Sequence, residues 1–280
     1  MPVKYIGELS GSVLVFGGPY SNLEASLAIK KRAQQLDIPP SNCICTGDIV
    51  AYCANPVETL SEIRNWGIHS IQGNCEESLA NDATDCGCGF GEGSICDTLS
   101  KQWFDYSTNA LSANDKLWMG SLPKQLSFDL NGKRFHVVHG GTDDISRFIF
   151  NSTPISTYLY QLSKIDCDVV IAGHCGLPFT KYVGDKVWHN AGVIGMPAND
   201  ATSDVWYSLI TPQLNNKGVE ISHHRLSYGA KKVADAMKVV GLAEDYIGAL
   251  TSGLWPSLDI LPDAERQQTG IALDELTHIV

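Results

Sequence analysis

Gly47-Asp48-Ile49-Val50 follows the apolar run 42–46 and sits where a buried strand should end. The carboxylate of Asp48 then stands on a loop just past that strand. Upstream, Ser12 to Phe16 is a second short apolar run, closed by Gly17-Gly18. Asn22 is placed to cap a helix reaching about Leu36, with Leu23, Leu27 and Leu36 as its apolar stripe and Lys30, Lys31 and Arg32 toward solvent. Pro39-Pro40 ends it. Pro56 opens a second helix that Gly67 terminates, and His69 to Gln72 brings Asn74 and Cys75 to a third strand end. Strand, helix, strand, helix, strand at this spacing predicts parallel strands with right-handed crossovers. Their loops then leave one sheet edge, and side chains on them converge in the crevice beyond the strand C-termini.

Residues 81–94 interrupt this rhythm with Asp82, Asp85, Cys86-Gly87-Cys88 and alternating glycines, and predict a loop that is either a functional lid or a plain surface insertion. Lys101 to Ser121 predicts a helix with Trp103, Phe104, Leu111 and Leu117 on its apolar side. Leu126 and Phe128, then Phe135 to His139, flank the Asn131-Gly132 hairpin turn and leave His139 at a strand end. Ser146 to Ile165 predicts another helix, and Asp168 to Ala172 a Val/Ile strand delivering His174. Gly184-Asp185 turns a further hairpin, and Val205 to Ile210 with Val219 to Leu226 supply late antiparallel strands, so a second sheet is expected to face the first. Ala230 to Val240 and Ala243 to Ser252 are helical patterns, and the polar stretch from Pro256 to Val280 is expected to lie over the domain or fray. No internal repeat is visible. The organisation expected is one domain over 1–228, with 229–280 as C-terminal helices and a tail packed on it.

At 280 residues the chain is long enough for a full core. A net charge of −11 without a basic patch argues against binding nucleic acid, which depends on clustered Lys and Arg. No signal-peptide pattern and no apolar stretch of about 18 residues is present, so no membrane partner and a cytoplasmic location are expected. The nine cysteines are then better taken as thiols or metal ligands than as a disulfide framework. Cys43, Cys45 and Cys167 lie in strand-like surroundings suited to packing.

Four motifs fall at strand ends: Gly47-Asp48, Gly73-Asn74-Cys75-Glu76, Val138-His139-Gly140 and Gly173-His174-Cys175-Gly176. Together they resemble the calcineurin-like metallophosphoesterases, closest to the small bacterial branch, in order over residues 12 to about 225. The resemblance implies an α/β fold of two facing mixed β-sheets flanked by helices, and hydrolysis of a phosphoester at a metal centre. It implies Asp48, Asn74, His139 and His174 as a complete set of ligands for the family's second metal. The family's first strand ends in Asp-x-His, where this chain has Gly18-Pro19-Tyr20, and its last histidine is Gly176 here. The first site therefore keeps only the shared Asp48. Cys75 stands where the family carries the histidine that protonates the leaving group. His189 to Gly195 resembles the turn that closes one side of the family's site.

One carboxylate, one amide oxygen and two imidazoles suit a divalent or trivalent transition metal, with zinc, iron and manganese all open. The cysteines allow a second account. Cys53, Cys75 and Cys175 come from loops that must converge, and Cys86, Cys88 and Cys96 could fold over them, drawing the choice toward zinc or iron and rebuilding a different first site with or without Tyr20. The leading expectation is a metal-dependent hydrolase acting on a small, phosphorylated substrate. The alternatives are a protein that has lost activity and uses the pocket for binding, and a non-haem iron enzyme with cysteine ligation. The residues name no substrate and no oligomeric state.

Overall fold

The computed structural model describes residues 3–89, 91, 93–214 and 216–280. Met1, Pro2, Asn215 and two members of the predicted loop, Phe90 and Glu92, lie outside the described residues. In chain order the elements are β1 (Val3–Leu9), β2 (Val13–Phe16), α1 (Leu23–Gln35), β3 (Cys43–Cys45), α2 (Pro56–Trp66), β4 (His69–Ser70), α3 (Asn74–Ala80), α4 (Ile95–Ala110) and α5 (Ala113–Ser121). There follow β5 (Gln125–Leu130), β6 (Lys133–Val137), α6 (Ile155–Leu162), β7 (Val169–Ala172), β8 (Pro178–Val183), β9 (Lys186–Ala191), β10 (Val205–Pro212) and β11 (Val219–Leu226). The chain closes with α7 (Ala230–Val239), α8 (Glu244–Ser252), α9 (Asp263–Arg266) and β12 (Thr277–Ile279).

Two six-stranded mixed sheets result, ordered β1-β5-β6-β7-β9-β8 and β12-β11-β10-β2-β3-β4. They face one another. Alternation along β2 shows why: Val13 and Val15 join Leu126, Phe128, Phe135 and Val137 in the core between the sheets, while Leu14 and Phe16 turn to the helices outside. A further apolar cluster lies on the outer face of the other sheet, around Tyr158 of α6 and Trp188 of β9. The expected parallel β2-β3-β4 arrangement is present, and β6 and β7 are also parallel. The C-terminal ends of β3, β4, β6 and β7 thus deliver Asp48, Asn74, His139 and His174. Among the described residues no helix is long and apolar enough to cross a membrane.

Several local expectations are corrected. In α1 the inward residues are Ala25, Ser26, Ile29 and Ala33, while Leu27 and Leu36 are exposed. The buried cap sets this phase: Asn22 Oδ1 accepts from Ala25 N at 3.0 Å and its Nδ2 donates to the Gly195 carbonyl at 3.0 Å, so small residues face the sheet. The predicted helix 101–121 is two helices. Ser94 caps the first earlier than expected, and Ser112 with Asp115 forms a capping box that starts the second, leaving Leu117 exposed. Only Ile155–Leu162 of the stretch 146–165 is helical, because Pro154 disfavours helix before it. The strands β1 and β12 were not legible; each pairs at a sheet edge, β1 parallel to β5 and β12 antiparallel to β11.

Three buried histidines tie the fold to neutral pH. Burial pushes His136 and His223 down to about 4, and burial followed by the nearby His223 holds His189 well below the ordinary value. Below pH of about 6.5 the unfolded chain takes up protons that the folded chain refuses, so stability falls as pH drops from about 6.5 toward 4. By pH 5 the expected loss is about 2 kcal/mol for each of His136 and His223. Urea midpoints at pH 7 and pH 5 measure it, and equal midpoints would show that the histidines charge freely in the fold.

Candidate metal centre

Two glycines let the ligand loops close on one another. A Cβ on Gly73 would lie 2.2 Å from Asp48 Oδ1 and 2.5 Å from Asp48 N, and a Cβ on Gly47 would lie 2.6 Å from Gly73 N. Only glycine permits that approach. Asp48 and His174 themselves hold left-handed backbones, with φ of 57° and 61°, conformations that persist at non-glycine residues only where the surroundings impose them. Glu76 supplies much of that constraint. Its buried carboxylate accepts from four backbone N–H groups: Asp48 at 2.7 Å, Ile49 at 2.7 Å, Val50 at 3.2 Å and Gly73 at 2.9 Å. Glu76 is thus a functional residue that sequence reasoning missed. Its signal was its place three residues after Gly73, at the N-terminus of α3, the glutamate position of a capping box.

The donor atoms of Asp48, His139 and His174 all lie within 4.8 Å of one another, and all three residues are buried. His139 Nδ1 stands 2.6 Å from the Thr46 carbonyl, which can only accept, so Nδ1 carries a proton. Its Nε2 then faces Asn74 Oδ1 at 3.0 Å, Asp48 Oδ2 at 3.2 Å and His174 Nδ1 at 3.2 Å. Asn74 is oriented by its amide nitrogen, which donates to the Cys86 carbonyl at 2.9 Å and to Cys88 Sγ at 3.3 Å. One proton on Nε2 cannot serve three acceptors, whereas a cation between them satisfies all four groups. The donor set therefore fits a transition metal.

The charges agree. Burial alone would raise Asp48, but the adjacent His139 outweighs it and leaves the carboxyl below its usual range. Burial likewise opposes a charge on His139, and Asp48 reverses that. Burial, then the His139 charge, push His174 down to about 3, leaving a neutral imidazole.

The cysteines are placed differently from the expectation that they gather as ligands. Among the described residues the one grouping of His, Cys, Asp and Glu with metal-ligand spacing contains no cysteine. Cys86 and Cys88 are bonded to each other, a correction to the expectation of reduced thiols in this loop; Gly87 between them, at φ 62°, allows the reversal. Cys53 points its thiol at the Gly195 carbonyl, 3.8 Å away, and Cys175 at that of Leu177, 3.7 Å away. Cys96 is on α4, in the wall of the cavity beside the centre. Cys75 is buried beside Asp48, to which its backbone N–H donates at 3.1 Å. Burial, then Asp48, hold the Cys75 thiol well above its ordinary value, and burial pushes Cys175 up to about 12.

Aromatic rings stand against Gly18 and Gly176. A Cβ on Gly18 would fall 2.4 Å from Tyr20 Cζ, and one on Gly176 would fall 3.2 Å from Trp255 Cζ2. Gly18→Asp alone should thus cost about 1–3 kcal/mol through the clash with Tyr20, and adding Tyr20→His should recover part of it. Chemical denaturation of the two variants checks the order; a single variant as stable as the wild type would mean that the ring moves freely.

Comparison with known proteins points the same way. Residues 23–211 match the calcineurin-like phosphoesterase superfamily domain. An uncharacterised protein of Methanocaldococcus jannaschii is 25% identical over 239 residues, covering 79% of this chain and 89% of its own. The solved metallophosphoesterase of Sphaerobacter thermophilus superposes with a TM-score of 0.69 at 20% identity, covering 88% of this chain and 100% of that one. A hypothetical protein of Pyrococcus horikoshii does so with a TM-score of 0.71 at 18% identity, covering 87% and 99%. With two facing sheets, Asp48, Asn74, His139 and His174 just past their strand ends, and a matching domain over most of its length, this chain belongs to the calcineurin-like phosphoesterase superfamily.

Proposed function

We propose that this protein is a metal-dependent hydrolase of small phosphoesters that works with one metal, held by Asp48, Asn74, His139 and His174. The observation that carries the reading is the buried convergence of Asp48, His139 and His174 donors within 4.8 Å, with Asn74 Oδ1 turned toward them by its own hydrogen bonds. Bound there, the metal supplies Lewis-acid polarisation of a phosphoryl oxygen. The chain's own residues orient the ester and exclude water. Glu76 locks the Asp48 loop, and the Thr46 carbonyl keeps the His139 proton on Nδ1, leaving Nε2 free to ligate.

The rings of Tyr20 and Trp255 over Gly18 and Gly176 favour one metal over two. Cys75, a neutral thiol in the acid position, is a poor proton donor, and losing a general acid typically costs about 10²–10⁴-fold. The reaction should therefore depend on a good leaving group. Rates on a series of aryl phosphoesters, measured with protein loaded with manganese, zinc or iron, should rise steeply as the leaving group becomes more acidic. No metal-dependent turnover on any of them would overturn the proposal, and a rate indifferent to leaving group would restore a general acid.

A further inference from the structure

Asp48 and His174 line a cavity of about 80 Å³ together with Tyr20, Met196, Tyr246, Ala249, Trp255 and Ile260. The wall is held on several sides. Trp255 donates its Nε1–H to the Pro197 carbonyl at 2.7 Å and its backbone N–H to Asn199 Oδ1 at 2.8 Å. Tyr52 stacks edge-on to Tyr20 at 4.8 Å and tilted to Tyr246 at 4.9 Å. These contacts fix the cavity's shape before any ligand enters.

Its charge is as telling as its shape. Among the described lining residues there is no lysine or arginine, and the one carboxylate is Asp48. A second phosphate or a carboxylate on the substrate would be stripped of water there with no cation to receive it, at a cost of several kcal/mol. The chain's net charge of −11 also repels polyanions at long range. We propose that the substrate is a phosphoester whose organic group is uncharged and apolar, such as an aromatic ring, seated between Trp255 and Tyr20 while the phosphoryl group faces Asp48 and His174. Nucleotides, polyphosphates and carboxylated esters are excluded. Trp255, from the segment after α8, sets this specificity, closing the cavity over Gly176.

The inference rests on the hydrolase reading above, and binding to the metal-loaded full chain separates the two. Calorimetry with inorganic phosphate, pyrophosphate and phenylphosphonate should show phenylphosphonate at least ten-fold tighter than phosphate, and pyrophosphate no tighter than phosphate. Trp255→Ala, which opens the wall, and Ala249→Leu, which fills the cavity from α8, should each bring the phenylphosphonate-to-phosphate ratio to within about three-fold of one. The second variant keeps the test decisive if the first folds poorly. Phosphate binding without a phenyl gain, or pyrophosphate binding as tightly as phenylphosphonate, overturns this inference alone. Failure of both phosphate and phenylphosphonate to bind overturns the hydrolase reading and this inference with it.

Discussion

Glu76→Gln should lower the thermal midpoint by roughly 6–12 °C, the equivalent of about 3 kcal/mol in a domain of this size. The carboxylate accepts through both oxygens, Oε1 from Ile49 and Val50 and Oε2 from Asp48 and Gly73. A glutamine offers one oxygen, and in either orientation its NH2 group confronts two backbone N–H donors. Those donors are buried, so each is left without water or partner. Glu76 is under opposing influences: burial, then the Asp48 charge, push it up to about 7, while the Gly73 and Val50 N–H groups pull it down. Because the same bonds fix the left-handed turn at Asp48, metal affinity should fall with stability, by about 10- to 100-fold. Thermal melts and a competing chromophoric chelator measure the two effects separately. A variant with the wild-type midpoint would show that the loop is held by other contacts.

His139→Ala should remove the metal almost completely. His139 touches every other member of the centre, at 3.0 Å from Asn74 and 3.2 Å from both Asp48 and His174, so its loss deletes a ligand and the hub that positions the rest. In the metal-free protein the change also leaves Asp48 buried without its ion-pair partner, a loss of about 3–5 kcal/mol. His174→Ala should strip the metal as well, with a smaller effect on folding, since His174 carries no charge there. Elemental analysis of both variants, with far-ultraviolet circular dichroism to confirm the fold, is the measurement. Metal stoichiometry equal to the wild type in both would remove these residues from the centre.

The positions of Asp48, Asn74, His139 and His174 just past strand ends were legible in the chain because a strand end is a local event. Gly47-Asp48, Gly73-Asn74, His139-Gly140 and Gly173-His174 each follow a short apolar run, and a glycine beside a polar residue marks the exit into a loop within a few positions. The caps and hairpins at Asn22, Pro56, Asn131-Gly132 and Gly184-Asp185 were legible for the same reason. The phase of α1 was not: three leucines outrank Ala25, Ser26 and Ala33 on any hydrophobicity scale, yet the small residues face the sheet because Asn22 is tied to Gly195, remote in sequence. Nor could β1 and β12 be found, since each has an exposed face and is a strand only by virtue of the partner it lies against.

At the site the division is similar. That positions 18 and 176 carry no side chain is written in the sequence, but what fills the space beside them is decided by packing. Tyr20 bends back over Gly18 through its own left-handed backbone at φ 51°, and Trp255 reaches Gly176 from the far end of the chain. The convergence of their loops likewise suggested that the cysteines would pool, whereas the fold ties Cys86 to Cys88 and turns Cys53 and Cys175 to separate carbonyl partners. Local rules act over the few residues that a turn or a helical repeat spans. Which side chain enters a given cavity is settled by contacts between segments far apart in sequence, and only the tertiary structure brings those together.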